Sequence, residues 1–199
     1  TFDFGDGTPT MTAPLIDGTA TTGHTYTDTT GSPYTITATY NGDTDFTDST
    51  GTDLQSVGQS STATAVSSAP DPSVVGEPVT VTATVTAVSP GAGTPTGTVT
   101  LDFGDGTPTV TQPVSAGQAT ATHTYTGAAG SPYAIIATYN GDTNFLTSLG
   151  TDSQTVQPAA TATAVTAAPD PSAVGDPVTF TATVTAVPPG AGAPTGTVT

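Results

Sequence analysis

The chain repeats itself at a fixed offset, and that repetition limits its folding more than any single motif. Thr100-Leu101-Asp102-Phe103-Gly104-Asp105-Gly106-Thr107-Pro108-Thr109 restates Thr1-Phe2-Asp3-Phe4-Gly5-Asp6-Gly7-Thr8-Pro9-Thr10. The 99-residue offset holds without insertion or deletion, so that His24 matches His123, Tyr34 matches Tyr133, Asp71 matches Asp170 and Gly97 matches Gly196. A period of this length exceeds a solenoid repeat and is about the size of one small domain. Three segments are therefore expected: residues 1–60 as the C-terminal part of one repeat, 61–159 as a complete repeat, and 160–199 as the N-terminal part of the next. Thr1, Thr100 and Thr199 hold the same repeat position, inside the alternating run Thr98 to Phe103. The 199 residues thus read as a window on a longer array, or as a subunit completed by its neighbours.

Composition narrows the partners. There is no Lys or Arg against sixteen acidic residues, giving a net charge of −16. Phosphate neutralisation needs cationic side chains, so nucleic acid is not expected as a partner, nor is an anionic membrane surface. No apolar run is long enough to span a bilayer, so no membrane insertion is expected within this window, and any secretion signal is expected outside it. With no cysteine, disulfides and thiolate metal sites are excluded. A chain rich in Thr, Gly, Ala and Pro, with so few charges, suits an extracellular or cell-surface repeat better than a cytosolic enzyme.

Strand periodicity runs throughout, and no helical period is found. Val79, Val81, Ala83, Val85 and Ala87 alternate with Thr80, Thr82, Thr84 and Thr86, which predicts a half-buried strand. Thr62–Val66 predicts a short first strand, ended by Pro70-Asp71-Pro72. Further strands are expected over Thr98–Phe103, near Val110–Val114, over Ala119–Tyr125 and Tyr133–Tyr139, and as one continuous strand from Phe145 to Val156. Gly104-Asp105-Gly106 and Asn140-Gly141 are turns. About seven short strands per 99 residues predict an all-β chain of tandem immunoglobulin-like antiparallel β-sandwiches.

Particular runs carry a resemblance. Thr62-Ala63-Thr64-Ala65-Val66, Pro70-Asp71-Pro72-Ser73, Gly76 to Val85, Pro95-Thr96-Gly97-Thr98-Val99-Thr100 and Ile135 to Phe145 resemble the bacterial immunoglobulin-like repeats of large secreted proteins. Asp102-Phe103-Gly104-Asp105-Gly106-Thr107 with His123-Thr124-Tyr125 is similar to the polycystin-type (PKD) repeat. The resemblance implies an extracellular, tandem, non-catalytic module.

Two groups of residues invite a functional reading. Asp3 with Asp6, and Asp102 with Asp105, place two carboxylates at each Gly-Asp-Gly turn, a candidate Ca²⁺ site. Ca²⁺ takes six or more oxygens, and neither EF-hand nor nonapeptide spacing is present, so turn capping by the same carboxylates is the expectation. Asp43, Asp45 and Asp48 reduce to Asp142, Asn144 and Thr147 in the other copy, which reads as a solvated loop. His24 and His123 are the only imidazoles; strand parity places each with Ala and Tyr as a packed or rim residue. No nucleophile-elbow, P-loop or metal-histidine spacing occurs, and no enzyme is expected.

The expected function is structural: an extracellular fibre or cell-surface stalk whose copies join head to tail, the Thr199 end of one meeting the Thr1 end of the next. An 11-residue strand from Pro78 to Val88 spans roughly 36 Å, so each repeat should add about 40 Å. The alternative is an adhesin segment whose repeats bind a glycan, a host surface or calcium. A third reading, an enzyme accessory module, needs a catalytic domain elsewhere.

Overall fold

The computed structural model describes residues 1–199 and is all-β. Strands β1 (Phe2–Asp3), β2 (Tyr34–Tyr40) and β3 (Ser49–Gln55) form a first sheet in the order β1-β2-β3. The central part holds β4 (Thr62–Ala69), β5 (Ser73–Val74), β6 (Pro78–Ala87), β7 (Thr98–Asp102), β8 (Val110–Pro113), β9 (Gln118–Thr124), β10 (Tyr133–Tyr139), β11 (Ser148–Gln154) and β12 (Val156–Gln157). Strands β13 (Thr161–Ala168) and β14 (Thr179–Ala186) end the chain as an antiparallel pair.

In the central part, β4-β6-β9 faces a second antiparallel sheet, β11-β10-β7-β8. β12 adds a short parallel pairing with β5. This is an immunoglobulin-like sandwich: two antiparallel sheets, with the chain crossing between them from β6 to β7, from β8 to β9 and from β9 to β10. The alternation read from the sequence decides what lies between the sheets. Val79, Val81, Ala83 and Val85 of β6 meet Val99 and Leu101 of β7, Ala119 and Ala121 of β9, and Ile135, Ala137 and Tyr139 of β10 in one buried cluster. The Thr residues between them face outward on β6, where branched side chains suit an extended backbone.

One edge of the sandwich is closed by hydroxyl groups in place of a backbone ladder. The Thr62 hydroxyl lies 2.8 Å from both the Leu146 carbonyl and the Ser148 hydroxyl, Thr64 lies 2.7 Å from Ser148, and Ser68 donates to Asp152 at 2.6 Å. This approach requires glycine at 150, because a Cβ there would collide with the Thr64 carbonyl oxygen.

The stretch from Phe145 to Val156 is not one strand, as the alternation had suggested. Phe145 forms an isolated parallel bridge with Ser60, β11 runs only from Ser148 to Gln154, and the chain then changes partner. The cause lies at Gln154 and Thr155. The Gln154 side chain is fully buried, its amide nitrogen within 3.1 Å of the Pro70 and Thr155 carbonyls and the Ser73 hydroxyl. Thr155 N–H donates to Asp71 instead of the ladder, so Val156 leaves β10 and pairs with Ser73. The first strand of the repeat also reaches Ala69, beyond Val66, because β6 offers it partners as far as Thr80.

The flanking segments show what a strand needs. Thr19–Thr25 aligns with the whole of β9 but forms no strand, because no equivalent of β6 lies beside it. Val81 is 0 % exposed, whereas Phe180, at the same repeat position on β14, is 72 % exposed. Gly51, the counterpart of Gly150, faces open space.

Gly150→Ala is expected to lower the stability of the central sandwich by about 1–3 kcal/mol, the range for an overpacked contact. Urea unfolding followed by tyrosine fluorescence checks this. An unchanged midpoint would show that the β4–β11 edge is loose enough to admit a methyl group at position 150.

Candidate functional site

The most organised polar group in each copy sits where β7, or its counterpart β1, runs into the Gly-Asp-Gly turn. Gly104 turns the chain with φ of 76°, and a Cβ there would strike the Ala134 carbonyl oxygen. Asp102 Oδ1 accepts the Gly104 N–H at 2.9 Å. Asp105 Oδ1 accepts the N–H and the hydroxyl of Thr107, at 3.1 and 2.6 Å. Asp105 Oδ2 faces His123 Nε2 at 2.8 Å. An ionised carboxylate only accepts, so Nε2 carries the proton.

His123 is held from both sides by rings. Phe103 stacks on it at 4.1 Å with planes 5° apart, and Tyr125 meets it edge-on at 4.6 Å. Tyr133 stacks on Tyr125 at 4.7 Å. The Tyr125 hydroxyl donates to the Phe103 carbonyl at 3.1 Å, tying β9 to the end of β7. Residues 1–60 reproduce the arrangement: His24 Nε2 lies 2.7 Å from Asp6 Oδ2 and stacks on Phe4 at 4.0 Å, and Asp3 accepts the Gly5 N–H.

The electrostatics follow from the bonds. The Thr8 hydroxyl and the His24 ring hold the Asp6 carboxyl at about 2, against the smaller upward push of burial. Burial pushes Asp105 upward as well, but bonds from Thr107 and His123 outweigh it and keep the carboxyl below its ordinary value. Burial raises the Tyr125 phenol.

The four acidic residues marked as calcium candidates thus lie in pairs, Asp3 with Asp6 and Asp102 with Asp105, at the two equivalent turns. Each accepts an N–H from its own turn, and Asp6 and Asp105 also face an imidazole. No three His, Asp or Glu side chains come together in a group able to hold a metal ion. The histidine–carboxylate pair was not read from the sequence. Its signal was the 18-residue spacing from Asp6 to His24, repeated from Asp105 to His123 within otherwise varied loops.

The geometry defines a class first: a β-sandwich module whose best-organised polar group ties a turn to a strand. Residues 66–157, from within β4 to the end of β12, match the family model of the bacterial Ig-like domain (group 3), in agreement with the sandwich they form. The family is one of structural or surface modules, commonly found on surface or extracellular proteins. No curated protein matches the chain. No helix of the structure is long and apolar enough to cross a membrane.

Two outcomes are expected. Asp105→Ala should cost about 1.5–3 kcal/mol, since it removes hydrogen bonds to a charged group, while a chelator leaves the melting temperature unchanged. A chelator-induced drop of several degrees would move Asp102 and Asp105 to the head of a calcium ligand set. Because the folded carboxyl of Asp105 sits below its unfolded value of about 3.9, its stabilisation is present above pH 4 and disappears as pH falls through the folded value. Melting curves of Asp105→Asn between pH 5 and 2 should therefore decline less steeply than wild type; equal slopes would count against the bond network.

Proposed function

We propose that the chain is a structural module of an extracellular fibre or cell-surface stalk, with repeats joined head to tail. The observation that carries this reading is the short, tethered connection between repeats. Val57 N–H donates to the Ser32 hydroxyl at 2.7 Å, at the end of the first sheet. Three residues on, Ser60 is already laddered to the central sandwich through Ser60 N–H to the Asn144 carbonyl (2.8 Å) and Leu146 N–H to the Ser60 carbonyl (2.9 Å). Gln59 donates to the Asp142 carbonyl at 2.6 Å. Backbone tethers on both sides leave little freedom at the joint, which favours reach over bending. The second joint has its own contact, Ala191 N–H to the Val75 carbonyl at 3.1 Å.

The ends are complementary in pattern. In the central sandwich the β4–β6 pair covers the sheet that β10 and β11 build. β13–β14 has the same register as β4–β6, and β2–β3 the same register as β10–β11. A second copy would therefore seat its β13–β14 pair on β2–β3, filling the space beside Gly51 and covering Phe180. The same joint within one longer polypeptide would have the same geometry.

Sedimentation of the 199-residue chain tests this reading. Linear oligomers that grow with concentration are expected, and they should lengthen as salt screens a surface with sixteen acidic residues and no Lys or Arg. A chain that stays monomeric at every concentration and salt would overturn head-to-tail assembly between separate copies.

A further inference from the structure

The loop at Asp142–Phe145 lies at the joint between the first sheet and the central sandwich, where it meets the loop at Asp28–Thr30. Each loop is fixed from within its own repeat. Asp28 Oδ1 accepts the N–H and hydroxyl of Thr30, at 2.7 and 2.5 Å, and the Tyr34 hydroxyl donates to the Asp28 carbonyl at 2.6 Å. Asp142 Oδ1 accepts the N–H groups of Asn144 and Phe145, while Oδ2 accepts the N–H and hydroxyl of Thr96. Two prearranged loops therefore face each other, and Thr29 and Asn144 join them. Thr29 N–H donates to Asn144 Oδ1 at 3.0 Å, and the Thr29 hydroxyl lies 2.8 Å from the Thr143 carbonyl and 3.1 Å from the same Oδ1. The Asn144 backbone is engaged as well, its N–H with Asp142 and its carbonyl with Ser60.

We propose that Thr29 and Asn144 form a latch that fixes the orientation of one repeat on the next, and that the array varies its stiffness through the residue at this position. The second copy supports the variation. Asp28-Thr29-Thr30 is replaced by Gly127-Ala128-Ala129, although the flanking Tyr-Thr and Gly-Ser-Pro are kept. Tyr133 still donates to the Gly127 carbonyl at 2.8 Å, so the loop keeps its anchor. Ala128 has no hydroxyl, and Gly127 has no carboxylate to hold the loop in shape. A joint built on Gly127-Ala128-Ala129 therefore keeps its backbone contacts and lacks the side-chain latch. Two grades of joint follow from one fold by changing three consecutive residues. Because ordering two surface groups costs side-chain entropy, the latch works only where both loops are already shaped, which the Asp28 and Asp142 turns accomplish.

Amide hydrogen exchange in the intact 199-residue chain reads the latch directly, apart from any role in a fibre. In Asn144→Ala the Thr29 amide should exchange at least tenfold faster than in wild type. The Thr30 amide, bonded within its own loop to Asp28, should be unchanged and so reports that the loop is intact. Thr29→Val keeps the shape and removes the hydroxyl. It should make the orientations of the two repeats diverge in residual dipolar couplings, with Thr29→Ser restoring wild-type behaviour. If Asn144→Ala disturbs the central fold, the Thr29→Val and Thr29→Ser pair decides alone. Unchanged Thr29 exchange in a folded Asn144→Ala chain, or unchanged couplings in Thr29→Val, would overturn the latch.

Discussion

The central sandwich depends on β6 being paired along both edges while its Val79, Val81, Ala83 and Val85 face is sealed by the opposite sheet. A strand in this position has every backbone N–H and C=O available to a ladder, and four apolar side chains removed from water. At about 25 cal/mol per Å² of apolar surface, each of the three valines contributes roughly 1.5–3 kcal/mol and Ala83 less. The partners inherit their order from it. β9 is extended where β6 lies beside it, and its counterpart in residues 19–25 is not a strand where that neighbour is missing. β-structure here is a property of pairs of segments, because an unpaired extended backbone gains no ladder bonds to offset the entropy of ordering.

This explains which parts of the fold could be read from the residues. The alternation of Val79 to Ala87 with Thr is a local signal, and it placed the core face of β6 correctly, as did Val99 and Leu101 for β7 and Phe103 just beyond its end. The β5–β12 pairing has no such signal, since two residues cannot display a period. The interruption at Thr155 depends on Asp71, which reaches it only once the sheets have met. At the turn, Gly-Asp-Gly announced its own geometry, whereas the contact from Asp105 to His123 arises from strands that are neighbours only through the core. Strand parity put His123 beside Ala121 and Tyr125, and it does lie there. Parity cannot show that the ring also faces a carboxylate. The Asp142 loop looked like a solvated acidic loop because nothing in its composition reveals that the preceding repeat ends against it.

The joints and the cores obey different rules. Inside a repeat, volume and shape constrain each residue, and the two copies keep the same pattern: Tyr26 and Tyr125 both donate to a Phe carbonyl at 3.1 Å, and both histidines stack on a Phe. At the joint, a few polar side chains act between loops already held by their own repeats. Replacing one there changes the contact without disturbing either core. Hence the copies diverge at Asp28-Thr29-Thr30 while retaining Gly31-Ser32-Pro33-Tyr34, whose serine and tyrosine serve the repeat itself.

The charge composition acts through the same local bonds. With no Lys or Arg, the only cationic side-chain partner open to a carboxylate is one of two histidines. Other carboxylates are met by backbone N–H groups and hydroxyls, among them Asp28, Asp43 and Asp142 as well as those at the two Gly-Asp-Gly turns. Donors aimed at the ionised form keep Asp28 and Asp43 below their ordinary value through bonds from their own loops, and at Asp142 burial pushes upward but bonds from the distant Thr96 and the adjacent Asn144 outweigh it. A carboxylate stabilised in this way needs no oppositely charged partner on a neighbouring repeat. Each repeat can therefore be acidic and still be complete within itself, so an array of them does not depend on matched charges at its joints.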